Sequence, residues 1–263
     1  MSKIEYGMPT LIELETIDQC VSLCIDLGLQ FIEINMDLPQ YQIENLNMDQ
    51  LESANRKGVY FTFHLNENLN VADFNSKVSQ AYMETALQTI ELCKRLNTPI
   101  LNMHIAQGVY FTLPDRKVYL FEQYNDHYMS SLAVFRDKCE KIICEDNLKV
   151  CIENGGGYKP FMKKGVELLL ESDVFQLTFD IGHSFCARNV DEPFILSNKD
   201  RLYHMHIHDA TENTNHLVLG TGNIDIEDRL SLACSQNCRC VIETKSVLGL
   251  KKSVEYLRRI GYF

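Results

Sequence analysis

Residues 202–210 read LYHMHIHDA, and three of the chain's eight histidines fall there at every second position. Side chains of a β-strand alternate between its two faces, so Met205 and Ile207 share one face while His204, His206 and His208 share the other. The same phase recurs along the chain. In VYFTFH (59–64), Val59, Phe61 and Phe63 oppose Tyr60, Thr62 and His64. In ILNMH (100–104), Leu101 and Met103 oppose Asn102 and His104; in LTFD (177–180), Leu177 and Phe179 oppose Thr178 and Asp180. VCIE (150–153) sets Cys151 and Glu153 against Val150 and Ile152, and FIEIN (31–35) sets Glu33 and Asn35 against Ile32 and Ile34. The last strand sets Val241 and Glu243 against Cys240 and Ile242.

Strands are predicted at 4–8, 31–35, 59–64, 100–104, 149–154, 176–180, 202–208 and 239–244. Helical patterns lie between them, several ending at Gly or Asn as helix C-termini do. Eight alternating β–α units in 263 residues predict one parallel (β/α)8 barrel, a TIM barrel in a single domain over residues 1–263. In such a barrel the apolar face of each strand meets the helices and the other face points to the axis. The polar residues therefore converge at the C-terminal ends of the strands, where barrel enzymes keep their active sites. The ring comprises Glu33, His64, His104, Glu153, Asp180, His206 and Glu243, with His183 and His208 just beyond.

Composition narrows the chemistry. The formal net charge of −11 argues against a nucleic-acid partner, which needs a basic footprint. No apolar run reaches the roughly 18 residues of a membrane span. The N-terminus lacks the basic-then-apolar pattern of a signal peptide. Ten cysteines in such a chain read as reduced thiols, and the expected location is cytoplasmic. Cys234, Cys238 and Cys240 lack a second ligand pair, so they read as structural. Converging carboxylates repel unless protonated or bound to a cation. With imidazoles among them a divalent metal is the natural neutraliser: Mn2+, Mg2+ or Co2+ for an oxygen-rich set, with Zn2+ open through the histidines. Glu153, Asp180, His206 and Glu243, from four different strands, can surround one ion.

The segments CIENGG (151–156), FDIGHS (179–184), HMHIHD (204–209), HLVLGTGNID (216–225) and VIET (241–244) resemble those of the xylose isomerase-like TIM barrels. That superfamily includes sugar-phosphate isomerases and epimerases, ketose 3-epimerases, inosose isomerases and dehydratases, and endonuclease IV. The resemblance extends over nearly the whole chain, to the closing SVEYLRRIGYF (253–263). It implies Glu153, Asp180, His206 and Glu243 as metal ligands and His183 as a substrate contact. The implied activity is metal-dependent isomerisation or epimerisation of a sugar or sugar phosphate, by proton abstraction α to a carbonyl and a stabilised enediolate. Glu153 and Glu243 would be the acid and base, and His64, His104, His183, His208, His216 and Glu33 would face the substrate. His208 and Asp209 stand equally well as supports behind the metal ligands. The outer face of such a barrel is open to homodimer formation.

Two departures bear on specificity. Lys159 stands where the ketose 3-epimerases have a glutamate, and Glu212 where they have an arginine. The alternative, a zinc-cluster nuclease like endonuclease IV acting at abasic sites, would use His64 and His104 for one zinc. It would use His183 and His216 for another, but Thr214 stands where that family has an aspartate. A third alternative is a non-catalytic sugar-binding barrel. The glycines at 155–157 lack the spacing of a phosphate loop and read as a loop beside the site.

Overall fold

The computed structural model describes residues 4–263. Eight parallel strands close into a barrel: β1 (Glu5–Pro9), β2 (Phe31–Asn35), β3 (Tyr60–His64), β4 (Ile100–His104), β7 (Lys149–Glu153), β8 (Phe175–Asp180), β9 (Leu202–Ile207) and β12 (Arg239–Ile242). Every strand read from the alternation is present, with ends moved by one or two residues. Two antiparallel hairpins, absent from that reading, interrupt the loops at the C-terminal end of the barrel. They are β5 (Tyr110–Thr112) with β6 (Lys117–Tyr119), and β10 (Asp209–Thr211) with β11 (Thr214–Leu217).

The helices are α1 (Ile17–Leu27), α2 (Met48–Arg56), α3 (Ser76–Arg95), α4 (Leu120–Gln123), α5 (Asn125–Ile143), α6 (Pro160–Leu170), α7 (Ile181–Cys186), α8 (Glu192–Ser197), α9 (Ile226–Gln236) and α10 (Val247–Arg259). Local chemistry sets their ends. Thr16 and Gln19 form a capping box at the start of α1, which stops at Gly28 in the left-handed conformation (φ 76°). Their inner faces pack on the outward residues of the strands, among them Ile34, Phe63, Ile152, Met205 and Ile242, all fully buried. No helix among the described residues is long and apolar enough to cross a membrane.

Inside the barrel the side chains stack in layers. At the N-terminal end the Tyr60 hydroxyl donates to Glu5 at 2.9 Å and accepts from Arg239 Nε at 3.1 Å, closing the floor. Above it the Phe31 ring stacks on Tyr60 and leans on His204, at centroid distances of 5.2 and 6.1 Å. Phe31 fits because Gly7, its register partner on β1, has no side chain: a Cβ there would lie 2.3 Å from the ring. This apolar layer separates the floor from the polar mouth and sets the depth of the site.

Gly7→Ala therefore forces an overpacked layer, at a cost of about 1–3 kcal/mol, and its thermal unfolding midpoint falls by several degrees. At Gly156 a Cβ has nothing within 4 Å, and Gly156→Ala stays within about 0.5 kcal/mol of the parent. Equal midpoints for the two variants by calorimetry would contradict this layering.

Candidate metal centre and active site

The register of the strands brings the polar residues together. His104 pairs in register with Glu153, and Asp180 with His206, so these side chains rise on one side of neighbouring strands. Glu153, Asp180, His206 and Glu243 each offer a ligand atom, and these atoms all lie within 4.8 Å of one another. At their centre is His206 Nδ1, 3.2 Å from Glu153 Oε1, 3.3 Å from Glu243 Oε2 and 3.9 Å from Asp180 Oδ2. Two of the converging atoms, His206 Nδ1 and Glu243 Oε2, are buried without a hydrogen-bond partner.

Each of the four is held from behind. Glu153 Oε2 accepts from the Asn102 amide and faces His64 Nε2 at 3.1 Å. Asn102 is fixed in turn by the Thr178 hydroxyl, which donates to its Oδ1 at 2.6 Å. Asp180 caps α7: its Oδ1 accepts from the His183 main-chain N–H at 2.6 Å and faces His208 Nε2 at 3.1 Å. Asn154 brackets the Asp180 main chain with two 2.9 Å hydrogen bonds. Glu243 Oε1 receives Lys245 Nζ at 2.7 Å. His206 Nε2 faces Glu33 Oε1 at 2.7 Å.

Of the six residues expected to face substrate, five line a cavity of about 260 Å3 above this cluster, Glu33, His64, His104, His183 and His216, together with Glu153, Glu243 and Lys245; His208 does not. A neighbouring cavity of about 310 Å3 runs beneath the Gly155–Gly157 loop and shares His104, Glu153 and His183. His216 is in the left-handed region (φ 55°) and stacks on His208 at 4.3 Å, with its Nε2 3.7 Å from Glu243 Oε1. Such backbone strain in a residue that is not glycine gathers at functional sites. His208 is fully buried and both its ring nitrogens are engaged: Nδ1 accepts from the His216 N–H at 2.8 Å, so Nε2 carries the proton towards Asp180. Lys159 and Glu212 line neither cavity; Lys159 Nζ lies 5.8 Å from the Tyr119 ring and Glu212 is exposed at the β10–β11 turn.

The charges are strongly coupled. Burial pushes the Glu153 and Glu243 carboxyls up, but the His206 charge and the surrounding donors outweigh it and hold both well below the usual carboxylate range. Burial likewise disfavours a charged His206, yet Glu153, Glu33 and Glu243 raise it well above an ordinary histidine. His64 Nδ1 is bound to the Leu65 carbonyl at 2.7 Å and Nε2 to a carboxylate, so both nitrogens hold protons. Its pKa is raised to about 9 by Glu153 against the cost of burial.

Asn102, Thr178, Asn154 and Lys245 had no assigned role in the sequence reading. For Asn102 and Thr178 the inward phase was the available signal. Asp209 and Asp191 frame the site from outside. Asp209 accepts from the N–H groups of Gly222 at 2.8 Å and Ile224 at 3.1 Å. It thereby fixes the GTGN loop (220–223), where a Cβ on Gly222 would lie 2.3 Å from its Oδ1. Asp191 accepts from the Tyr158 N–H at 2.8 and 3.1 Å, tethering the end of the glycine loop.

Known proteins share this architecture. The "Uncharacterized protein MJ1614" of Methanocaldococcus jannaschii is 23% identical over 98% of this chain and 99% of its own length. A solved D-tagatose 3-epimerase-like protein superposes with a TM-score of 0.77 at 21% identity, covering 97% of this chain and 96% of the other. The solved IOLI protein with a bound zinc atom superposes with a TM-score of 0.71 at 14% identity, covering 97% and 94%. At these identities the superpositions speak for the fold. The family model of the xylose isomerase-like TIM barrels matches residues 21–260, and the chain belongs to that family.

Proposed function

We propose that this protein is a divalent-metal-dependent sugar or sugar-phosphate isomerase or epimerase that removes a proton α to a carbonyl. The observation that carries this reading is the convergence of two buried carboxylates and a third, half-buried one on the unpartnered Nδ1 of His206. Unpaired charges and bare polar atoms at that depth are costly unless a cation joins them. Glu153, Asp180, His206 and Glu243 would hold the ion, and three oxygens with one imidazole suit Mn2+, Mg2+ or Co2+, or Zn2+. Bound there, the metal would polarise a substrate carbonyl and offset the negative charge that grows as the α-proton leaves.

The protein groups supply the proton transfers. Glu153 and Glu243 come from β7 and β12, which β8 and β9 separate in the barrel. One takes the α-proton and the other delivers one. Delivery to the opposite face gives an epimer, whereas carriage to the neighbouring carbon gives an isomer. Lys245 lies on one oxygen of Glu243, and His64 and Asn102 on one of Glu153, which leaves Glu153 Oε1 and Glu243 Oε2 turned towards His206 Nδ1. His104, His183 and His216 at the cavity wall suit substrate hydroxyls. The D-tagatose 3-epimerase-like relative supports carbohydrate as the substrate class. Lys159 and Glu212, turned away from the cavity, argue against the contacts of free-ketose 3-epimerases.

A zinc-cluster nuclease is the second reading, favoured by two further groups with donor atoms within 4.8 Å: His64–His104–Glu153 and His183–His208–His216. In the latter both His208 nitrogens are already engaged, and the acidic chain offers no basic footprint. One bound ion per chain by elemental analysis accords with the isomerase, and two or three zincs with the nuclease.

In D2O, the Mn2+-loaded protein exchanges the α-hydrogen of its sugar substrate with solvent, read by proton NMR over a panel of aldoses, ketoses and their phosphates. Glu243→Gln slows this exchange by about 100-fold or more. A panel silent with every divalent ion would contradict the reading.

Proton and metal compete for the same charge. In metal-free protein, His64 (about 9) and His206 lie above the unfolded value of 6.5. The stability they contribute is complete below pH 6.5 and is lost as pH rises through their folded values. Glu33, Glu153 and Glu243 lie below 4.5, so their contribution is present above pH 4.5 and lost on acidification. The unfolding midpoint in chelator therefore peaks near pH 6.5 and falls towards pH 9, and saturating Mn2+ removes that fall. A midpoint in chelator that rises from pH 6.5 to 9 would contradict the charge assignment.

A further inference from the structure

Glu33 lies on the barrel axis, 2% exposed, and among the described residues no lysine or arginine pairs with it. Its partners are two imidazoles and a hydroxyl. Oε1 is 2.7 Å from His206 Nε2; Oε2 is 3.1 Å from His204 Nε2 and accepts from Thr62 Oγ1 at 3.2 Å. An imidazole offers a lone pair only at a nitrogen without a proton, and the partner of one nitrogen decides the state of the other. With a carboxylate against Nε2, the proton of neutral His206 stays there. Nδ1 is then left without a proton, and it faces Glu153, Asp180 and Glu243 at 3.2, 3.9 and 3.3 Å.

We infer that Glu33 is a positioning residue that locks His206 in its Nε2–H tautomer, so that only Nδ1 can meet a divalent ion held with Glu153, Asp180 and Glu243. His204 and Thr62 hold the far oxygen of Glu33 and so keep the near oxygen 2.7 Å from His206 Nε2. Glu33 also adds a fourth negative charge beneath the ion without spending a coordination position. The inference rests on the metal reading of this site and is independent of the sugar chemistry.

Zn2+-loaded protein labelled with 15N-histidine tests it directly. Long-range 1H–15N correlation should show His206 coordinated through Nδ1 and protonated at Nε2; coordination through Nε2 would overturn the inference. Affinity for Co2+, measured by chelator competition and visible absorption, supplies the second arm. Glu33→Ala weakens binding by about 10–100-fold and shifts the visible bands. Glu33→Gln keeps an oxygen acceptor for Nε2–H and loses less than about tenfold, while Thr62→Val, a packing control, stays within about threefold. Glu33→Ala binding Co2+ within about twofold of the parent, with an unchanged spectrum, would also overturn it. If Glu33→Ala does not fold, the tautomer of the unaltered protein decides. Uptake of neither ion would overturn the metal reading and this inference together. Failure of α-proton exchange alone would leave both binding results standing.

Discussion

Four carboxylates, the buried Glu33, Glu153 and Asp180 and the half-buried Glu243, lie within reach of one imidazole at the mouth of the barrel. Two like charges 4 Å apart repel by about 4 kcal/mol even at an effective dielectric constant of 20. Several such pairs would cost a large share of the 5–15 kcal/mol by which a typical domain is stable. The fold tolerates them through compensating positive charge. In metal-free protein that charge is the protons of His206 and His64, with Lys245 at the rim. On the proposed function a divalent ion would be the denser substitute, and it would convert a destabilising cluster into a working one.

The surroundings are organised around this constraint. Asn102 and Thr178 hold Glu153, Asn154 and His208 hold Asp180, Lys245 holds Glu243, and Glu33 faces His206. Outer hydrogen-bonding partners of this kind fix ligand orientation and tune basicity. Further out, Asp209 and Asp191 pin the two glycine-bearing loops by their main-chain N–H groups. The Phe31 layer below closes the site to the barrel floor.

The barrel was legible because strand alternation has a period of two and the apolar phase is strict: Phe61, Phe63, Ile152, Phe179, Met205 and Ile242 face the helices in every case. The same phase placed Glu33, Glu153, Asp180 and His206 on one axis. The two hairpins escaped the reading because their strands are only three or four residues long, too short for an apolar pattern to mark them. The short α7 was hidden too, since six residues capped by Asp180 carry too little periodicity to detect. The partnerships behind the ligands lie further from view. That both His208 nitrogens are taken, or that Asn102 rather than a main-chain group holds Glu153, depends on side-chain rotation across strands distant in sequence. Alternation tells which face a residue occupies and is silent about which neighbour it meets there.

The central claim is that residues at the ends of four separate strands share one ion with Nδ1 of His206. The most direct measurement is the anomalous difference map of crystals soaked in Mn2+. The account predicts one dominant peak, roughly 2.0–2.3 Å from His206 Nδ1 and from an oxygen each of Glu153, Asp180 and Glu243. A map with no peak among these four residues, or with its main peak elsewhere on the protein, would contradict it.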